Sequence, residues 1–286
     1  MTPEPLRLGL LGAPVGHSRS PAMMAAALTS AGLSGRYEAH EVSPASLEET
    51  LRGLDAAGFD GLNITVPHKV RVAAWAGLAG LSGAAAALGA VNTLVRRPDG
   101  WWGHNTDATG LAEVFADAEV ALDRGGVALL GAGGAARGAL WAARAVGAGA
   151  VTVLVRSAAR AEGLARLADT LGLGCEVYAA PGPGLDAALR GCGLVVQCSK
   201  GGMTGEDALP GWWVDAVCCS ATNARVAELV YAPRETAFLA ATARAGLRRI
   251  DDVGAHMLVA QGAHAFSLWT GRAPDRRAMF AAAFGV

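Results

Sequence analysis

Val127-Ala128-Leu129-Leu130-Gly131-Ala132-Gly133-Gly134-Ala135-Ala136 is a four-residue apolar run that enters a glycine cluster and leaves it into an alanine-rich stretch ending near Val146. The run follows Gly125-Gly126 and predicts a buried strand, and the stretch after it predicts a helix. The glycines therefore sit in a strand, G-x-G-x-x-A, helix context, which a dinucleotide loop requires. Glycines let the backbone approach a pyrophosphate, and the helix N-terminus offers amide donors and partial positive charge. A plain glycine turn would fit the string too; the flanking strand and helix favour the cofactor. Gly131, Ala132, Gly133, Gly134 and Ala135 are the candidate contacts.

The next strand, Val151 to Val155, carries the cofactor's identity at its end. An NAD site places Asp or Glu about 20 residues beyond the loop, on the ribose 2′-hydroxyl. Here the chain has Arg156-Ser157-Ala158-Ala159-Arg160. Arg156, Ser157 and Arg160 can pair with a 2′-phosphate that a carboxylate would repel, so NADP is favoured over NAD, with NAD still possible. Solvated arginines at a helix start are the alternative.

Upstream, Leu6 to Leu11 predicts a strand, Ala22 to Ala31 a helix, Tyr37 to Val42 a strand and Ser46 to Ala57 a helix capped by Gly58. Gly61-Leu62-Asn63-Ile64-Thr65-Val66 then alternates apolar and polar residues, the period of a strand, until Pro67 stops it. This β-α-β-α order implies parallel pairing. Asn63 and Thr65 share a face near the strand's carboxyl end, and Lys69 stands at its exit, where open parallel sheets bind ligands. From Lys69 to Leu88 the run reads as helical, weakened at Gly77, Gly80 and Gly83. Val91 to Arg96 and Trp101 to His104 read as a hairpin that ends the first domain near Asn105. Ser20, before Pro21, is an N-cap candidate. Val214 to Cys218 reads as a later strand, and a closing helix follows Asp251-Asp252-Val253-Gly254-Ala255-His256-Met257.

A chain of 286 residues suits two domains. Its 52% apolar fraction, 39 glycines and 6% aromatics are globular, and a net charge of −1 offers nothing to nucleic acid or an anionic membrane. Cys175, Cys192, Cys198, Cys218 and Cys219 are an odd set without metal-ligand spacing, which reads as reduced thiols in a cytoplasmic protein. Met1 to Arg7 shows no export signal, and no apolar run reaches the ~18 residues of a membrane helix. His256 and His264 have no metal-ligand partners in the sequence, so no metal is expected.

Asn63-Ile64-Thr65-Val66-Pro67-His68-Lys69, Gly89-Ala90-Val91-Asn92-Thr93-Leu94, Gly103-His104-Asn105-Thr106-Asp107, the glycine loop and Met257-Leu258-Val259-Ala260-Gln261 occur in one order. Together they resemble the shikimate dehydrogenase family. The resemblance implies an α/β chain of two domains with a cleft between them. A discontinuous substrate-binding domain would span 1–106 and 253–286, and a Rossmann-like NADP-binding domain 107–252. It implies an oxidoreductase that interconverts shikimate and 3-dehydroshikimate, with quinate/shikimate or aminoshikimate dehydrogenases and a weakly catalytic cofactor-binding sensor as alternatives. Lys69 and Asp107 form the catalytic candidate, a coupled acid/base dyad at the reacting hydroxyl. Ser18, Ser20, Asn63, Thr65, Asn92, Tyr231 and Gln261 match substrate positions, and Ser199, Gly254 and Met257 the cofactor side. Oligomeric state is expected to be monomer or homodimer. Departures also stand out. Gln197-Cys198-Ser199 replaces Asn-Ala-Thr before Lys200, and Asp215 is separated from Tyr231 of Tyr231-Ala232-Pro233-Arg234-Glu235-Thr236 by an insertion, 216–230. Asp252 replaces a glycine, and Ala255-His256 read as extra.

Overall fold

Leu8 and Leu11 of β1 (Leu6–Gly12) are an odd number of residues apart and lie in different buried clusters, so both faces of this strand are covered. The computed structural model describes residues 4–285; Met1 to Pro3, the start of the stretch read for an export signal, and Val286 lie outside them. After β1 come α1 (Ser20–Ser30), β2 (Gly35–Glu41), α2 (Leu47–Ala56), β3 (Gly61–Ile64), α3 (Lys69–Ala73), β4 (Leu78–Leu81), α4 (Gly83–Leu88), β5 (Thr93–Arg97), β6 (Gly100–His104) and α5 (Thr106–Asp117). The sheet runs β2-β1-β3-β5-β6-β4. β1 is parallel to β2 and β3, while β5 is antiparallel to β3 and β6. In α2 the buried Leu47, Leu51 and Leu54 fall at helical spacing and pack with Phe59, Leu62 and Trp101.

Three sequence expectations fail here. The run from Lys69 to Leu88 is two short helices with β4 between them. A Cβ on Gly77 would overlap the Trp75 ring, and one on Gly80 would lie 2.8 Å from Trp102. The glycines thus let the chain pass beneath two indoles and pair with β6. Ser20 is the first residue of α1 and makes no capping bond; its N–H donates instead to Ser18 Oγ at 3.2 Å. β3 stops at Ile64, before the cis Val66-Pro67 peptide.

The second set of elements is β7 (Gly126–Leu130), α6 (Gly134–Ala145), β8 (Ala150–Leu154), α7 (Glu162–Thr170), β9 (Gly174–Tyr178), α8 (Leu185–Arg190), β10 (Cys192–Gln197), α9 (Gly211–Ser220), β11 (Arg225–Glu228), α10 (Ala237–Arg244) and β12 (Arg248–Arg249). All pairs are parallel, in the order β12-β11-β10-β7-β8-β9. The strand order reverses between β7 and β10, the doubly wound arrangement whose ligand crevice opens at that switch point. Val214 to Cys218, expected as a strand, lies in α9. Trp213, Val217 and Ala221 are buried there at a spacing of four, a helical period.

α11 (Val253–Thr270) and α12 (Arg276–Phe284) close the chain. Two units result, Met1–Gly110 with Leu258–Val286, and Leu111–Met257. In the first, Phe266 and Met279 pack with Leu8, Met23 and Leu28. No helix of the described residues is long and apolar enough to cross a membrane, and their five cysteines are free.

Candidate active site

The antiparallel β5–β6 hairpin puts the start of β5 and the end of β6 beside the carboxyl end of β3, and β1 ends on the same edge because it is parallel to β3. Residues far apart in sequence therefore meet at one sheet edge. Lys69 follows β3 and Asp107 is the second residue of α5; Lys69 Nζ donates to Asp107 Oδ2 at 2.7 Å, with side-chain exposures of 19% and 13%. The carboxylate in the first turn of α5 also meets the positive end of that helix.

Buried amides set this geometry. Asn92, 2% exposed, accepts the Thr106 N–H at 2.7 Å and donates to Thr106 Oγ1 at 3.0 Å. Asn105 caps α5 by accepting the Ala108 N–H at 3.1 Å. The Val91 N–H donates to the Lys69 carbonyl at 2.9 Å, which joins the lysine's backbone to the Asn92 segment. Asn63 is hydrogen-bonded inside the unit: its Oδ1 accepts from Tyr37 at 2.8 Å, and its Nδ2 donates to Asn92 O and Thr93 Oγ1. Both amide hydrogens of Asn63 are used within the unit, and its Oδ1 keeps one acceptor position.

Around the ion pair, hydroxyl capacity remains. Thr65 is half-buried, and its hydroxyl has no partner among the described residues. Ser18 Oγ uses an acceptor position on the Ser20 N–H and keeps its proton to donate. Burial pushes the Tyr37 phenol well above the usual range, so it stays a neutral donor. Gln261 lies against α5, where a Cβ on Gly110 would come within 2.8 Å of its backbone N, and its side-chain Nε2 donates to Leu258 O at 2.8 Å. Tyr37, Thr93 and Thr106 escaped the sequence reading. The two threonines sit inside quoted motifs and could have been flagged as buried polar partners, whereas Tyr37 carries no signal in its polar strand.

In the second unit the glycine loop leaves β7 as expected. Gly131 has φ +107, and a Cβ there would lie 3.0 Å from Ser199 Cβ, so only glycine serves. Gly133 differs, with an ordinary φ of −83 and no atom within 4 Å of a Cβ. The fold has no use for that glycine, and the open space lies at the unsatisfied N–H groups of α6, as a bound pyrophosphate needs. Ala132 and Ala135 are half-buried beside it and Gly134 is exposed. Arg156, Ser157 and Arg160 are exposed at the end of β8, next to the loop through the Gly131 N–H to Leu154 O bond of 2.9 Å. No carboxylate pairs with either arginine among the described residues.

Gly254 and Met257 lie in the first turns of α11. Gly254 is a packing glycine, since a Cβ would lie 2.5 Å from Leu229 O. Met257 and Tyr231 are half-buried. Asp252 has φ +50, the left-handed region that glycine favours, and ion-pairs with Arg234. Ala255 and His256 lie inside α11 and extend no loop. The expected insertion after Asp215 also dissolves. Asp215 is exposed on α9, while residues 225–228 form β11, so the carboxylate three residues before Tyr231 is Glu228. Glu228 is 3% exposed, and burial pushes its carboxyl up while bonds from Thr236 and Gln197 pull it down. His264 is half-buried and its imidazole is pushed down by burial. No cluster of three metal-ligating side chains occurs among the described residues.

Known proteins share this architecture. Residues 10–94 match the family model described as the shikimate dehydrogenase substrate binding domain, and residues 254–284 the shikimate 5′-dehydrogenase C-terminal domain. A shikimate dehydrogenase (NADP(+)) of Methylobacterium radiotolerans is 42% identical over 94% of this chain and 92% of its own length. Shikimate 5-dehydrogenase of Thermus thermophilus, solved in complex with NADP(H) and shikimate, superposes with a TM-score of 0.81 at 37% identity, covering 97% of this chain and 98% of that one. A 5-ketofructose reductase of Gluconobacter sp. strain CHM43, solved ligand-free, superposes at 0.82 with 28% identity over 99% of both chains. At 42% identity over 94% of this chain, the chain belongs to the shikimate dehydrogenase family.

Proposed function

We propose that this chain is an NADP-dependent shikimate dehydrogenase that reversibly reduces the ketone of 3-dehydroshikimate to the secondary alcohol of shikimate. The observation that carries the reading is the 2.7 Å Lys69–Asp107 pair at the sheet edge, beside hydroxyls with hydrogen-bonding capacity left over. We assign substrate to the unit Met1–Gly110 with Leu258–Val286, and cofactor to Leu111–Met257. The boundaries read from sequence, 1–106 with 253–286 and 107–252, assign the same roles.

NADPH, when bound, supplies the hydride that adds to the carbonyl carbon. Its pyrophosphate fits the loop of Gly131 to Ala135, where the space at Gly133 is open, and its 2′-phosphate suits Arg156, Ser157 and Arg160. Lys69 keeps N–H groups beyond the one given to Asp107. It donates to the substrate oxygen and stabilises the negative charge that develops there. Asp107 holds the ammonium in place and balances its charge. The proton that completes the alcohol passes through this couple, and in the reverse direction the couple takes it back. Ser18 and Ser20 suit the substrate carboxylate. Thr65, Asn92, Tyr231 and Gln261 suit its ring hydroxyls, with Asn63 shaping the floor. Ser199 and Met257 line the cofactor side, and Gly254 packs behind them. Two adjacent cysteines without a bridge fit a reducing cytoplasm, and a monomer or homodimer is the assembly to test by sedimentation.

The decisive experiment is a turnover screen of the purified protein with shikimate, quinate, aminoshikimate and 5-ketofructose against NADP and NAD. Shikimate with NADP is expected to give the highest kcat/KM. Faster turnover of another substrate would reassign the substrate, and no turnover of any would leave a cofactor-binding protein.

A further inference from the structure

Gln197 and Glu228 are the last residues of β10 and β11 and are register partners in the sheet. Both side chains are buried, at 0% and 3% exposure. The Gln197 amide is locked in one orientation. Its Oε1 accepts the Ser199 N–H at 2.6 Å, and its Nε2 donates to Gly201 O at 2.9 Å and to Glu228 Oε1 at 3.2 Å. The second carboxylate oxygen accepts from the Thr236 hydroxyl, and Thr236 Oγ1 accepts the Leu239 N–H at 3.1 Å, which caps α10. One carboxylate thus ties together the turn after β10 and the far end of the segment that carries Tyr231. The turn in question is the one that Ser199 presses against Gly131.

A buried carboxylate is a poor way to stabilise a fold, because its desolvation offsets most of what its bonds contribute and an apolar side chain of the same volume often does as well. A role beyond packing accounts for it better. We propose that Glu228 is a positioning residue for the cofactor: through Gln197 it sets Ser199 and Gly201 against the glycine loop, and through Thr236 it sets the Tyr231 segment. The inference rests on the assignment of NADP to that loop.

The test uses Glu228→Gln, Glu228→Met, Gln197→Met, the Glu228→Met/Gln197→Met double variant and Thr236→Ser, each checked for a cooperative melt. NADPH dissociation constants come from fluorescence titration, and KM and kcat from steady-state assays for each substrate. Glu228→Met and Gln197→Met are each expected to weaken NADPH binding by about tenfold, as for loss of a hydrogen bond to a charged group. For Gln197→Met, which leaves the Thr236 bond in place, the KM for shikimate should stay within about twofold. The double variant should be no worse than about the worse single, because the pair acts as one unit. Glu228→Gln keeps the volume but supplies an NH2 where Gln197 and Thr236 both need an acceptor, so it should fall between wild type and Glu228→Met; Thr236→Ser should match wild type. Folded Glu228 variants that bind NADPH as wild type does, or multiplicative losses in the double variant, would overturn the inference while leaving the cofactor assignment standing. Wild-type protein that fails to bind NADPH would overturn both.

Discussion

Lys69 Nζ and Asp107 Oδ2 share one short bond, and in the proposed mechanism the ammonium carries the proton while the carboxylate holds the ammonium. Replacing Lys69 with Ala should lower kcat by about 10²–10⁴-fold, the range for losing a positioned acid/base group, with little change in NADPH affinity. Asp107→Ala should be comparably severe, and the double variant should lose far less than the product of the singles. Steady-state kinetics on the three variants decides the matter: multiplicative losses would mean two independent groups. At the other unit, Arg156 and Arg160 are exposed and unpaired with any carboxylate among the described residues. Replacing both with Ala should lower kcat/KM for NADP by about tenfold or more relative to NAD, because only NADP loses charge-assisted bonds. Equal losses for both cofactors, or a wild-type preference for NAD, would remove the 2′-phosphate role. Ser157, being neutral, should matter less.

Among the elements, the turn that enters α11 shows how a departure from the family pattern is accommodated. Asp252 adopts φ +50, which costs most side chains about 1–2 kcal/mol but Asp and Asn less, and its partner Arg234 is largely exposed. Asp252→Gly should therefore be within about 1 kcal/mol of wild type, since the backbone gain offsets the loss of a weak surface pair. Asp252→Ala should be the less stable of the two by about 1 kcal/mol. Chemical denaturation of the pair checks the order, and an alanine variant as stable as the glycine variant would mean that backbone strain is irrelevant there. β3 is constrained from a different side: a Cβ on Gly61 would overlap the Trp269 indole, whose Nε1 donates to Leu94 O at 2.9 Å. Gly61→Ala should cost about 1–3 kcal/mol by overpacking, read as a lower melting temperature.

Across the whole molecule, pH acts on the two units with opposite signs. In the first, burial holds the His104 and His264 imidazoles below their ordinary value. The unfolded chain therefore binds protons there first, and stability is lost as pH falls through the ordinary histidine range. In the second, the Glu228 carboxyl is raised, so the folded state holds its proton more tightly and that contribution fades as pH rises. Hydrogen exchange at about pH 7 and pH 5, around the unperturbed histidine value, should show the first unit losing protection on acidification, and a His104→Gln/His264→Gln variant losing less. Equal loss in that variant would place the acid sensitivity elsewhere. What the sequence by itself determined was local: the strand, glycine loop and helix at 127–146, the alternation around Asn63, and the absence of an acidic residue after β8. Each is set by backbone conformation or by the chemistry of adjacent residues, and each survives without knowledge of neighbours. Only the tertiary structure decided that Gly77 and Gly80 make a strand under two tryptophans. The same holds for the hydrogen-bond partners of Asn63 and Glu228. Those outcomes depend on which side chains meet across the sheet, and pairing between distant strands leaves no trace in the spacing of residues along the chain.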